Sequence, residues 1–113
     1  MRMPDIAFET TDWASIEPTR HPGVSGEALW RTRFVGPADN PIRLRVVEYT
    51  PGYVADHWCQ KGHVVFVLEG ELETTLADGR IFTLTPGMSY HVADDGEPHM
   101  SRSTTGARLF IVD

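Results

Sequence analysis

A chain of 113 residues with net charge −6 and pI near 5.2 has the length of one domain and no basic cluster with which to hold a phosphate backbone, which excludes nucleic acid as a partner. Its single cysteine excludes an internal disulfide, and a chain this size buries about two-thirds of its unfolded surface, enough for a core without such staples. No apolar run approaches the roughly 20 residues that cross a bilayer, and Met1-Arg2-Met3-Pro4-Asp5 lacks the apolar stretch of a secretory leader, so the expectation is a soluble cytoplasmic protein with no membrane partner.

Residues 1–27 read as an N-terminal arm or edge strand, with Trp13 as the anchor of Phe8–Ile16. Glu17-Pro18-Thr19-Arg20-His21-Pro22-Gly23 holds two prolines and a glycine and reads as loop, which makes His21 a loop residue and not a ligand. Residues 28–113 form a second unit with a β pattern throughout. Leu29–Val35 alternates, Gly36–Pro41 breaks the pattern, and Ile42–Tyr49 alternates again with Ile42, Leu44 and Val46 on one face. Arg43 and Arg45 on the other face read as a solvated pair. Thr50-Pro51-Gly52 ends that strand. Val64–Leu68 is apolar at every position, which predicts a central strand covered on both faces, one cover being a second subunit. Glu69-Gly70 turns into Glu71–Leu76, where Leu72, Thr74 and Leu76 face inward. Asp78-Gly79 is a two-residue hairpin signal. Arg80–Leu84 and Met88–Val92 follow, separated by Pro86-Gly87. The loop Asp94–Pro98 delivers His99, and Met100–Thr104 and Ala107–Val112 close the chain around Gly106. Short strands set apart by Gly/Pro turns, without a helical period, predict an all-β sandwich or barrel.

The stretch Asp56-His57-Trp58-Cys59-Gln60-Lys61-Gly62-His63 packs two of the five histidines and the only cysteine into seven positions, His57 to His63. If His57 to Cys59 is extended, both side chains point one way and Trp58 points the other, toward the core or a subunit interface. A turn containing Gly62 brings His63 back to the same pocket. Imidazole, thiolate and imidazole converging from one segment is ligand chemistry for zinc or a first-row metal such as iron, and not for calcium or magnesium. Each residue also has a plainer role: a lone buried cysteine packs as a small hydrophobe, and a lone histidine is a hydrogen-bonded structural residue. The spacing of all three together favours the ligand reading.

The order of turns and ligands resembles the cupin superfamily, whose first motif runs G-x5-H-x-H-x3or4-E-x6-G. Here Gly52 precedes His57 with one residue fewer between them, and His57-x-Cys59-x3-His63-x6-Gly70 keeps the remaining spacing. The second motif, G-x5-P-x-G-x2-H-x3-N, is similar to Gly87 through Ala93, one extra residue, Gly96-x2-His99 and Ser103. The resemblance covers residues 42–113, and Asp56-His57-Trp58-Cys59 with Lys61-Gly62-His63 also resembles a small cupin family named for a DHCW-type motif. It implies a small double-stranded β-helix, the jelly-roll barrel of cupins, with a metal site at its mouth. His57 and His99 match ligand positions of the family directly; Cys59 stands where a second His is usual and His63 where a Glu is usual. The implied metal set is His57, Cys59, His63 and His99. The implied cofactor is a divalent ion, zinc first, with iron, manganese or nickel as alternatives, and the implied partners are a small-molecule ligand or substrate and a second copy of the chain, since small cupins commonly pair as homodimers that exchange an N-terminal strand. Asp56 is either a hydrogen-bond acceptor for a ligand imidazole or a solvated loop acid, and Tyr90 and His91 either line the cavity or pack.

Three functions stay open at this level: a metal-dependent enzyme on a small polar molecule, a non-catalytic metal- or ligand-binding or sensor module with a structural His/Cys site, and a metal-free protein with Cys59 as a redox-active thiol. No residue outside the ligand set is an evident general base.

Overall fold

The alternation that begins at Leu29 is strand in a computed structural model, which describes residues 2–113. Ten strands form in chain order: β1 (Thr19–Pro22), β2 (Glu27–Val35), β3 (Ile42–Tyr49), β4 (Tyr53–Val54), β5 (His63–Gly70), β6 (Leu72–Leu76), β7 (Ile81–Leu84), β8 (Ser89–Val92), β9 (His99–Ser103) and β10 (Ala107–Val112). A six-stranded sheet in the order β1-β2-β3-β10-β5-β8 faces a four-stranded sheet in the order β4-β9-β6-β7. Among the described residues the only helical element is a 3₁₀ turn, Trp13–Ser15, and no helix is long and apolar enough to cross a membrane. This is the expected all-β jelly-roll barrel.

The turns follow from their residues. Asp78-Gly79 closes the β6–β7 hairpin, with the Gly79 amide donating to Leu76 O at 2.9 Å and the Arg80 amide to Asp78 Oδ1 at 3.1 Å. Gly70 turns β5 into β6 at φ +76°, and a Cβ there would lie 2.1 Å from Gly106 O, so only glycine fits this left-handed, crowded position. The core fills the space between the sheets: Val47, Val65, Val67 and Leu109 from one, Leu72 and Leu84 from the other, all buried. Each such side chain contributes about 1.5–3 kcal/mol through burial, and truncating Val67 or Leu72 to alanine opens a cavity that the close packing does not refill.

The N-terminal region departs from the sequence reading. Residues 17–23 are not all loop: Thr19–Pro22 is β1, paired antiparallel with β2 from Thr19↔Trp30 to Pro22↔Glu27. Pro18 and Pro22 argued for loop, yet Pro18 lies just before β1 and Pro22 ends it at the sheet edge, where a missing N–H is tolerated. His21 is therefore on a strand, stacked on Trp30 with ring centroids 3.7 Å apart. Phe8–Ile16 is not an edge strand. Asp12 caps the 3₁₀ turn by accepting from the Ala14 amide, and Trp13 anchors the segment edge-on against Phe110, at 5.9 Å between centroids. The arm lies on its own domain, with Arg31 donating to Ile16 O and Arg33 paired to Glu9.

β5 buries one face within this chain. Val65 and Val67 are buried, but Val64, Phe66 and Leu68 are 48, 41 and 37% exposed. Within this chain the strand is covered on one face only, and Trp58, at 46% exposure, lies outside the core, the first of its two expected places. Composition could not separate the faces, because both carry large apolar side chains.

Candidate metal centre

Two strand starts and a bridged loop residue bring the site together. His63 opens β5 and His99 opens β9. Cys59 lies between strands, but a two-way bridge pins it to His99: the Cys59 amide donates to His99 O at 2.7 Å and the His99 amide to Cys59 O at 3.0 Å. The loop between Cys59 and His63 is held in turn by the Gly62 amide donating to Asp94 Oδ1 at 2.7 Å, and any Cβ on Gly62 would meet the Asp94 amide nitrogen at 2.4 Å. Cys59, His63 and His99 each then offer one donor atom, all within 4.8 Å of one another.

The ring nitrogens are oriented from behind. His99 Nδ1 donates to Glu97 O at 2.9 Å; a carbonyl only accepts, so His99 Nε2 presents a lone pair to the cavity. His63 Nδ1 is buried with no hydrogen-bond partner and lies 3.6 Å from Asp113 Oδ2. A proton on Nδ1 facing that carboxylate leaves a second lone pair on His63 Nε2, 3.0 Å from His99 Nε2. Two lone pairs at that distance repel unless a proton or cation lies between them. A proton on either Nε2 makes this contact a hydrogen bond; with both Nε2 atoms unprotonated, the two imidazoles and the cysteine sulfur form a donor set that fits a divalent metal ion. Burial lowers the pKa of His99, as does the neighbouring His63, against the raising effect of the Glu97 carbonyl; the neutral ring is the form that binds metal. Tyr90 brings its hydroxyl to 3.1 Å from His63 Nε2, and burial raises its pKa, so the phenol stays protonated.

The other sequence candidates lie elsewhere. His57 borders the same cavity, but its side chain is 70% exposed and its Nδ1 is 2.7 Å from Asp56 Oδ1, so it stands outside the trio. The Asp56 carboxylate partners an imidazole as the sequence suggested, but that imidazole faces solvent; the hydrogen bond to His57 lowers the Asp56 pKa. His91 follows Tyr90 on β8 and so points the other way, exposed, at the border of a second cavity of about 250 Å³.

The site's cavity is about 260 Å³ and holds residues the sequence reading passed over. Arg45 is not solvated: it is 5% exposed and its Nη2 donates to Asp113 Oδ2 at 2.8 Å. Arg43 embraces the same carboxylate, Nε to Oδ1 at 2.8 Å and Nη2 to Oδ2 at 3.0 Å. Burial pushes the Asp113 carboxyl up, but the contacts with His63 and Arg43 and the charges of both arginines prevail and hold it well below the usual carboxylate range. The available signal was phase: Arg45 shares its strand face with Val47 and Tyr49, which border the cavity too.

Residues 45–113 match the family model described as a cupin domain. A comparison with curated proteins finds no match. Among solved structures the chain is similar to ectoine synthase from P. lautus, at 20% identity and a TM-score of 0.75 over 93% of this chain and 76% of that one. It is similar to a protein described as a predicted oxalate decarboxylase from Thermotoga maritima, at 18% identity and a TM-score of 0.74 over 92% of this chain and 96% of that one. The polyketide cyclase RemF from Streptomyces resistomycificus gives 24% identity and a TM-score of 0.71 over 94% and 78% of the two chains. At such identities the likeness is one of fold, and the three names carry three chemistries.

Proposed function

This chain belongs to the cupin family, and from that footing we propose that it holds one divalent metal ion at Cys59, His63 and His99, in the mouth of its barrel, and binds or converts a small polar molecule in the adjoining cavity. The observation that carries this reading is the pair of imidazole Nε2 atoms opposed at 3.0 Å with Cys59 completing the trio. Zinc is the first candidate for a site with a thiolate, ahead of iron, manganese and nickel. A bound ion would supply Lewis acidity toward a carbonyl or water. Three protein ligands leave a tetrahedral position open, which is the pattern of catalytic and not of structural zinc. The chain's own groups orient and shelter that position: Asp113 stands behind His63, Tyr90 places a protonated hydroxyl at its front, and Val47, Val65 and Leu109 exclude water from the inner wall.

A second reading, a structural four-ligand site in a binding or sensor module, has one observation in its favour: His57 borders the same cavity. It requires His57 to leave Asp56 and turn inward. The proposal includes a homodimer in which a second copy covers Val64, Phe66 and Leu68, and a cytoplasmic location, where a thiolate ligand stays reduced. Gel filtration giving a monomer would remove the dimer from the proposal.

The test is the metal content of protein purified without added metal, for the wild type and Cys59→Ser. Near-stoichiometric zinc that drops in the variant supports the His/Cys site. Absence of metal from both overturns it.

A further inference from the structure

Resting on the proposed site, we infer that the cavity selects a small organic carboxylate, held by Arg45 with Lys61 at the cavity mouth. The chain is acidic, at −6, yet the residues bordering this cavity include Arg43, Arg45 and Lys61 against a single acid, Asp113. One carboxylate cannot neutralise two guanidiniums and an ammonium, so the cavity attracts an anion into a protein that otherwise repels one.

The two arginines differ in what they have left to offer. Arg43 donates through Nε and Nη2 to both oxygens of Asp113. Arg45, nearly fully buried, donates only through Nη2, and its Nε is buried with no partner. A guanidinium presents its donors in a planar fork that matches a carboxylate, and a buried donor without an acceptor is costly, so an incoming carboxylate relieves a defect that the folded chain leaves in place. The plane of the fork is fixed: the Arg45 guanidinium lies 4.3 Å from the Trp30 ring centroid, and His21 stacks on the same indole. Lys61 follows Cys59 by two residues and is exposed at the border of the cavity, where it meets the ligand without a desolvation cost of its own. The remaining wall, with Val47, Leu109 and Ile111, suits a short carbon skeleton and not an inorganic anion. At about 260 Å³ the space is below the range of drug-sized ligands, roughly 300–1,000 Å³.

The experiment is calorimetric titration of the full chain, cobalt(II)-loaded and chelator-treated in parallel, with acetate and succinate, their neutral amides, and inorganic phosphate. The expected result is saturable binding of a carboxylate and none of its amide, weakened about tenfold or more in Arg45→Gln, the loss of one charge-assisted hydrogen bond. Lys61→Gln, at an exposed position, carries the test if Arg45→Gln does not fold, with an expected weakening of about threefold. Carboxylates binding no better than amides, phosphate binding as tightly as succinate, or unchanged affinity in the folded variants overturns the inference. Failure of the metal site reads differently, as no cobalt uptake by the wild type under loading conditions while the carboxylate titration of the chelator-treated protein stands.

Discussion

His63 and His99 differ from His57 and His91 less in sequence context than in what stands behind the ring. Each of the first pair opens a strand, turns inward, and has an oxygen behind its Nδ1, the Glu97 carbonyl for His99 and the Asp113 carboxylate for His63. His57 is held by an exposed acid at the rim, and His91 takes the outward phase of β8. The contrast teaches that spacing nominates a ligand, while burial and a partner on the far nitrogen prepare it. An inward histidine has already lost its water and most of its rotamers in folding, so a metal has little left to order.

The strongest way to break this contrast is His99→Ala. Metal affinity measured against a competing chelator should fall by more than about 100-fold, beyond what loss of an outer partner causes. Asp113→Asn should come next, lowering affinity by about 10- to 100-fold through His63 and lowering stability in urea as Arg43 and Arg45 lose their counter-charge. Retained affinity in Asp113→Asn would mean that His63 needs no support from behind. His57→Ala should leave affinity within about twofold, as for an exposed substitution; a tenfold loss would instead favour the closed four-ligand site. His91→Ala should change neither affinity nor stability by more than about 0.5 kcal/mol.

The fifth histidine sharpens the comparison through pH. Burial first, and then the charges of Arg45 and Arg43, lower the pKa of His21 below its ordinary 6.5. The unfolded chain then binds the proton more readily than the folded one. The contribution is intact above pH 6.5 and is lost as pH falls from there through the folded value. Urea midpoints at pH 7.5 and pH 5.5 should therefore differ less in His21→Gln than in the wild type. An equal acid loss in the two proteins would show that His21 titrates as in the unfolded chain.

Most strands from Leu29 to Val112 were legible because alternation and Gly/Pro turns are local signals, as at Asp78-Gly79; the two-residue β4, Tyr53–Val54, is too short to alternate and was missed. β1 was hidden because Pro22 within it and Pro18 just before it argue for loop everywhere except at a sheet edge, and which strand is at the edge is not a local property. The site was legible in part. Cys59 and His63 stand out by residue type and spacing, and His99, far along the chain, only through the family resemblance. Arg45 looked solvated because charge usually is; nothing near it in sequence announces Asp113, which lies 68 residues away.

By itself, then, the sequence determined the β pattern, its turns and the donor types available for a metal, since these depend on backbone stereochemistry and side-chain chemistry over short distances. Tertiary structure decided which donors meet. A strand has two faces and a sheet two sides, and only the pairing of β3, β10 and β5 turns Arg45 and His63 toward Asp113 while leaving Val64, Phe66 and Leu68 outside. A shift of register by one residue would exchange those sets, and the burial of Val47, Val65 and Leu109 against the facing sheet is the energy that forbids it.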